Sequence, residues 1–550
     1  MSKKIFAAAA AAALLLTACS GGSGSGANTS DEPNMSTDQT SFKIMGGQSA
    51  LSPGYKDNEV LNNLQKEAGI TIEWNTMSEG LSEQVNIAIN GNTMPDAFQG
   101  AGFSNYDLAN YGADGMFIDL TPYITEDIMP NLTKILNEHP EIRAAITMDD
   151  GGIYGLPAAE QMGTAGIGKE EDYSIFTIPQ FSMINKKWLD DLNLEVPTTL
   201  DELHTALKAF KDNDMAHKIY GADPGKTIPM STGFDEWCWG QNIFYAGFGF
   251  TNWINDVCND LVLDKSGKVN FVCDDDNYRA ALTYFHDWYA EGLMDQQMFS
   301  QKDSDLISKC QNGYVGVSTW WYIEEIMGNY AEDYVFLPVL AGPDGTKNVT
   351  VRTGGGTNSG QLSITKECQS PVNLLKFYDM WYDGETVMQL QYGPIGTFFL
   401  EKNDKGLWKS ITEAQAQEKF GKGAGELKST YEVAGPKLIL SNYYSDVFEM
   451  EDRAIERLTD LYDYWMPQVA DTTTYPIDCV FTQDELETID MYKVDFQNFV
   501  AENEGLWIKN GGPTDEEWAA YKDKLVNSVG MEDLLKVYQD AYDRYAEAMN

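Results

Sequence analysis

Between Phe42 and Gly100 the hydrophobic pattern alternates between strand and helix periods, and this constrains the fold more than any other feature of the chain. Phe42-Lys43-Ile44-Met45 reads as a short strand. Val60, Leu61, Leu64 and Ala68 recur at helical spacing over Asn58–Ala68, and Gly69 supplies the stop. Ile70-Thr71-Ile72-Glu73-Trp74 alternates as a second strand, Glu83–Asn90 reads as a second helix, and Pro95–Gly100 opens a third strand. Strands separated by helices pair in parallel, so the chain is α/β, with an open sheet covered by helices. Ligands of such sheets bind beyond the carboxyl ends of the strands, which gives weight to Thr76–Gly80 and Gln99–Tyr106.

The pattern restarts further on. Phe181–Ile184 reads as a strand; Thr199 caps the helix that follows, with Glu202 as its capping-box partner. Asn277–Glu291 reads as an aromatic helix ended by Gly292, and Tyr314–Ser318 as a strand running into Trp320-Trp321-Tyr322. Gln361–Thr365 and Val372–Asp383 add a strand and a helix. Thr482–Asn550 reads as mostly helical, with Thr514 and Ser528 as start signals. A chain of 550 residues, 43% hydrophobic and 12% aromatic, exceeds one small domain and can bury a large core.

The N-terminus is a separate unit. Lys3 and Lys4 precede an apolar run, Ile5–Ala18, too short to span a bilayer, so residues 1–18 read as a secretion signal. Leu16-Thr17-Ala18-Cys19 resembles the lipobox of bacterial lipoproteins, which implies cleavage before Cys19 and lipid on its thiol and new N-terminus. Residues 19–41 are rich in Gly, Ser and polar side chains and read as a flexible tether. The formal charge is −46, and −48 once Lys3 and Lys4 leave with the signal. Such a surface repels nucleic acid and anionic lipid, so the membrane contact expected is the lipid alone. A polyanionic ligand is disfavoured unless its site is locally basic. Cys19, Cys238, Cys258, Cys273, Cys310, Cys368 and Cys479 form no C-x-x-C pair; Cys258 and Cys273 flank a hairpin that a disulfide could close, although a large core does not need it.

Several strings then occur in a telling order: Met94-Pro95-Asp96-Ala97, Asp119-Leu120-Thr121-Pro122-Tyr123, Asp150–Pro157, Ile184–Leu189, Val196–Glu202, Trp288–Leu293, Gly313–Val317, Tyr392–Gly396 and Val537–Asp543. Together they resemble the extracellular solute-binding proteins of family 1, the carbohydrate-uptake type of ABC transporter, in the form of the large Gram-positive lipoproteins. The resemblance covers the whole mature chain. It implies two α/β lobes closing on ligand like a hinged clamp, plus C-terminal helices. Lobe 1 would comprise 42–155 and 346–395, lobe 2 156–345 and 396–480, and the helical segment 481–550. Crossings are implied near Tyr154–Pro157, Pro343–Thr353 and Tyr392–Gly396. The implied partners are a carbohydrate and separate permease subunits, with the receptor a monomer. Large relatives often carry a calcium loop where this chain has Lys211–Lys218; Asp212 and Asp214 keep the spacing, but no Gly follows and Met215 and Ala216 occupy ligand-like positions, so no metal is expected.

A sugar presents apolar C–H faces and a rim of hydroxyls, so its site needs flat aromatic rings beside Asp, Glu, Asn or Gln. Of the 13 tryptophans, Trp188 and Trp288 sit at helical spacing and belong to the core. Trp320 and Trp321 follow a strand, and neighbours cannot both face one core. Trp237 and Trp239 alternate with polar residues; Asp96 and Gln99 end a lobe-1 strand, Glu160 and Gln161 lie just past a crossing, and Tyr392 opens another. These nine residues are the candidate ligand contacts, each with a bland reading as a core, capping or solvated side chain. No cofactor is implied. The four histidines are scattered, there is no H-E-x-x-H or G-x-S-x-G, and Gly354–Gly360 lacks the Lys and Ser/Thr of a phosphate loop. Carboxylates are too numerous for counting to exclude a glycosidase pair. The alternatives are therefore a surface glycoside hydrolase, a binding protein for a peptide or other solute, and an adhesin with a flat face.

Overall fold

The N-terminal alternation folds as its period requires. In the computed structural model, which describes residues 32–549 except 50, 172, 179, 234–239, 252–260, 352–355 and 477–478, Ser41–Gly47, Thr71–Met77 and Ala97–Phe103 are strands joined by helices Glu59–Ala68 and Leu81–Asn90. Asn58 caps the first helix by accepting the Leu61 N–H at 3.1 Å, and Gly69 closes it in the left-handed conformation, φ 67°. Ser41–Gly47 lies between the other two strands and is parallel to both. Asn358–Ile364 adds antiparallel to Ala97–Phe103, Leu156–Glu160 pairs with its other edge, and Leu438–Ile439 finishes the six-stranded sheet. Alternate residues feed opposite faces: Ala97 joins the core of Ile44, Leu61, Leu132 and Leu375, whereas Phe98 packs with Val85, Phe103 and Phe117.

A second lobe is built on two four-stranded sheets. One orders Tyr334–Phe336, Phe181–Asn185, Val315–Trp320 and Ile228–Met230; the other orders Val349–Val351, Val469–Thr474, Leu261–Asp264 and Val269–Phe271. Thr199 caps helix Leu200–Asp212 by accepting the Glu202 N–H, while the Glu202 carboxylate returns one residue earlier, to the Thr198 N–H. Trp188 and Trp288 are buried as expected, Trp188 edge-on to Phe210 with centroids 5.2 Å apart. The C-terminal helices Gln483–Asn510, Asp515–Asn527 and Met531–Met549 share this lobe's core. Phe496 packs 4.5 Å from Phe271, and the buried Glu504 carboxylate accepts from Tyr245 Oη at 2.6 Å and Tyr278 Oη at 2.8 Å.

Several expectations shift. Leu156–Glu160 lies inside the first sheet, so the chain leaves that lobe after Glu160 rather than at Tyr154–Pro157. Leu438–Ile439 returns to the first sheet from a stretch assigned to lobe 2, because its short apolar run finds an open sheet edge. Val349–Val351 pairs in the second lobe. Thr514 caps its helix with a full capping box, but Ser528 ends the preceding helix and the last one starts after Gly530. Cys258 lies outside the described residues; Cys273 is buried. Residues from Asn34 to Thr40, expected in the tether, are bonded along the first lobe.

Two stability predictions arise here. Glu504→Ala leaves two buried tyrosine hydroxyls without their acceptor and is expected to cost about 2–4 kcal/mol, read from urea unfolding. Asp460, pushed up to about 7 by burial and then by Glu456 and Asp463, is held neutral in the fold well above the pH at which it ionises in the unfolded chain. Its stabilising contribution is complete below pH ~4 and is lost as pH rises through ~7. Asp460→Asn is therefore expected to be near neutral at pH 4 and to raise stability by roughly 2 kcal/mol at pH 8, compared by denaturation at both pH values.

Candidate functional site

The strand Leu156–Glu160 runs parallel to Ala97–Phe103, so Glu160 emerges at the carboxyl end of the sheet where the chain leaves for the second lobe. Its Oε1 accepts from Tyr444 Oη at 2.9 Å and from Tyr392 Oη at 3.3 Å, and the two hydroxyls are 3.2 Å apart. Burial first holds both phenols far above their ordinary ionisation range; the Glu160 carboxylate pushes both the same way, and Tyr444 adds to the shift of Tyr392, so they remain donors. Lys428, from helix Ala424–Tyr431, places its ammonium 5.1 Å from the Tyr392 ring centroid and 5.6 Å from that of Tyr322. Desolvation works against its charge, but Tyr322, Glu432, Glu160 and Glu451 outweigh it and keep the ammonium protonated.

From the second lobe, Arg457 lays its guanidinium 4.0 Å over the Tyr322 ring and donates from Nη1 to the Trp321 carbonyl at 2.8 Å. It is 2% exposed, and among the described residues its Nε and Nη2 find no hydrogen-bond acceptor. Lys437 is buried between Gln391 and Glu432; burial, against the pull of Glu432 and Glu160, draws its ammonium below the usual lysine range. Aromatic rings, fixed donors and both charge signs thus meet where the two lobes join. That mixture suits a polyhydroxylated ligand: rings for C–H faces, and cations and a carboxylate for hydroxyls.

The nine candidates separate. Glu160 and Tyr392 lie in this junction, directly bonded. Gln161 faces a different groove of about 650 Å³ lined also by Asn131, Tyr382, Asp383 and Tyr443, and its carbonyl accepts from Ser441 Oγ at 2.5 Å. Trp320 turns into the core and donates to Glu325 Oε2 at 2.9 Å, whereas Trp321 stays half-buried at the junction, edge-on to Phe176 at 5.3 Å. Asp96 precedes its strand instead of ending it; its carboxylate accepts from the Lys43 N–H at 2.7 Å and Gln39 Nε2 at 2.9 Å, at the opposite pole from Glu160. Gln99 sits mid-strand, fully buried, donating to the Ala434 carbonyl at 2.7 Å and accepting from Tyr378 Oη at 2.5 Å. Both are occupied within the first lobe, because the strand runs on to Phe103. Trp237 and Trp239 lie outside the described residues. Sequence reasoning missed Tyr322, Lys428, Tyr444 and Arg457. Only Tyr322, next to the tryptophan pair, carried a signal.

The Asp212–Asp214 segment does not fit a calcium ion. Asp214 gives its carboxylate oxygens to the Gly225 N–H and Thr227 Oγ1, both at 2.7 Å, Asp212 pairs with Lys208 at 3.1 Å, and Met215 and Ala216 are buried and bring no side-chain oxygen. Among the described residues no group of three or more His, Cys, Asp or Glu side chains is arranged to hold a metal. Among the same residues no helix is long and apolar enough to cross a membrane.

Two α/β lobes meeting at a polar, aromatic junction define a solute-binding clamp. The chain belongs to the bacterial extracellular solute-binding proteins, whose family model it matches over residues 48–385. It is 32% identical over 536 residues to the fructooligosaccharide ABC transporter substrate-binding protein FusA of Streptococcus pneumoniae serotype 4 (strain ATCC BAA-334 / TIGR4), covering 95% of each chain. A solved structure of S. pneumoniae FusA in complex with kestose superposes with a TM-score of 0.81 at 30% identity, over 92% of this chain and 100% of that one. An HMO-binding, ABC-transporter associated solute-binding protein from Bifidobacterium longum infantis ATCC 15697 shares the fold, with a TM-score of 0.74 at 22% identity over 92% of this chain and 99% of that one. These relatives are solute-binding proteins, not enzymes.

Arg457 supplies a test of the junction's design. A buried guanidinium with two unpartnered donors is costly, so Arg457→Met, which keeps volume over Tyr322, is expected to stabilise the ligand-free protein by about 1–2 kcal/mol in chemical denaturation.

Proposed function

We propose that this chain is the receptor of an ABC importer, carried outside the cytoplasmic membrane on lipid at Cys19, that captures an oligosaccharide between its lobes and delivers it unaltered, as a monomer, to a separate permease. The observation that carries the reading is the cluster of Glu160, Tyr392, Tyr444, Tyr322, Lys428 and Arg457 at the lobe junction. Near-full-length similarity to a fructooligosaccharide-binding relative supports the ligand class, and kestose is a natural first probe. The lobes close about the crossings that follow Glu160 and Leu440 and about the segment after Tyr392; Trp321 adds to the aromatic lining.

The test is calorimetry and thermal shift on the mature chain with kestose, longer fructans and other oligosaccharides, with peptides as controls. A ligand at 100 times its dissociation constant adds about 2.7 kcal/mol, seen as a raised melting temperature. Trp321→Ala and Lys428→Met are each expected to weaken binding about tenfold. Recovery of cleaved sugar would move the protein to the hydrolases, and a peptide hit without a sugar hit would replace the cargo.

A further inference from the structure

The segment before the first strand is bound along the body by its own set of contacts. Gln39 is the centre: its N–H donates to Ser370 Oγ at 2.8 Å, its Nε2 donates to Asp96 Oδ1 and the Ser41 carbonyl, both at 2.9 Å, and its Oε1 accepts from the Gln369 N–H at 2.8 Å. Asn373 Nδ2 donates to the Thr37 and Gln39 carbonyls at 2.8 and 2.9 Å, Asn34 Nδ2 donates to the Gln369 carbonyl at 3.0 Å, and Ser36 Oγ lies 3.1 Å from Ser370 Oγ. Ser370 stands in the N-cap position of helix Pro371–Asp379, where a serine ordinarily accepts a helical N–H. Here it makes no such bond; its oxygen accepts the Gln39 N–H instead. The helix start, a buried serine and the buried Asp96 carboxylate are thus committed to holding residues 34–40.

These contacts lie at one pole of the first sheet. Ser41 and Ala97 begin parallel strands there, and Ile364, a few residues before Gln369 and Ser370, pairs with Ala97. Glu160 leaves at the other pole, about 23 Å away for a seven-residue strand. We propose that residues 34–40 are a docked strap that fixes where a lipid-anchored chain leaves the body, so that the strand-start pole of the first lobe, rather than the junction end, lies nearer the lipid surface while the receptor is free of its permease. This rests on the Cys19 anchor proposed above. With the strap docked, the fifteen residues from Cys19 to Pro33 form the leash, whose length sets an extended limit of about 50 Å. Release would lengthen the leash to Ser41 and the limit to about 75 Å. Because the chain leaves at the strand-start pole, that pole stays nearer the bilayer than the junction end, which lies a sheet-length further along the body. The partner surface is the bilayer itself, met through the anchor, because the acidic body has no charge attraction for anionic lipid.

The test uses the full chain, lipidated and reconstituted on phosphatidylcholine vesicles holding an acceptor dye, with a donor placed at Glu367 beside the strap or at Glu79 beyond the end of Thr71–Met77. Both positions are exposed. Energy transfer is expected to be at least about twofold higher from Glu367 than from Glu79, and the pair Asn34→Ala with Gln39→Ala is expected to abolish most of that difference. Hydrogen exchange supplies a readout that needs no membrane: the Gln39 amide is expected to exchange at least about tenfold more slowly than in an unfolded chain, and to lose that protection in Ser370→Ala. Equal transfer from the two positions, or an unprotected Gln39 amide, overturns the proposal. Mass spectrometry showing an unlipidated N-terminus would sink the anchor and the orientation together while leaving ligand binding by the clamp intact, so the two failures are distinguishable.

Discussion

The rest of the structure depends on the insertion of Asn358–Ile364 between Ala97–Phe103 and Leu156–Glu160. Each neighbour is complete long before this strand is reached in the chain. Between them, the polypeptide leaves the first sheet after Glu160 and lays down every described strand of the second lobe except Val469–Thr474 before returning. The return has to fit closely: Gly360 lies against the Phe103 backbone with no room for a side chain. Because the inserted strand is antiparallel to both neighbours, Leu156–Glu160 ends at the same pole as Ala97–Phe103. One backbone ladder thus ties the lobes and aims Glu160 at their junction.

Electrostatics at that junction runs against the character of the whole chain. A net charge of −46 spreads a repulsive field over the surface, yet the junction gathers Lys428, Lys437 and Arg457 around Glu160 and Glu432. Three tyrosines separate these charges and bond or stack with them. Salt bridges on the exposed surface add little to stability. In the junction, lower solvation makes each charge costly and also makes each donor more effective toward a ligand oxygen.

Much of the fold was legible because it rests on local periodicity. The Thr199 and Thr514 caps, the Gly69 stop and the burial of Trp188 and Trp288 follow from residue type and spacing, which act within a few residues. The extent of a strand was harder to read. Gln99 reads as a strand end, but pairing with Asn358–Ile364 carries the strand on to Phe103. Asp96 looked like a ligand carboxylate, and partners distant in sequence made it the clasp of the N-terminal segment. For Trp320 and Trp321 the opposite faces of a strand guaranteed that they would diverge; only packing against Glu325 and Phe176 decided which turned inward.

The sequence by itself determined an α/β chain with helices between parallel strands, a helical C-terminus, and strings that mark a solute-binding clamp, since all of these are written in periods, caps and short motifs. The tertiary structure alone decided that Tyr444, Lys428 and Arg457 would meet Glu160, that the C-terminal helices would lie on the second lobe through Glu504, and that the chain before Ser41 would be held to the first. The reason is physical. Those contacts join residues separated by tens to hundreds of positions, and no local preference records which distant partner will satisfy a buried charge or hydroxyl.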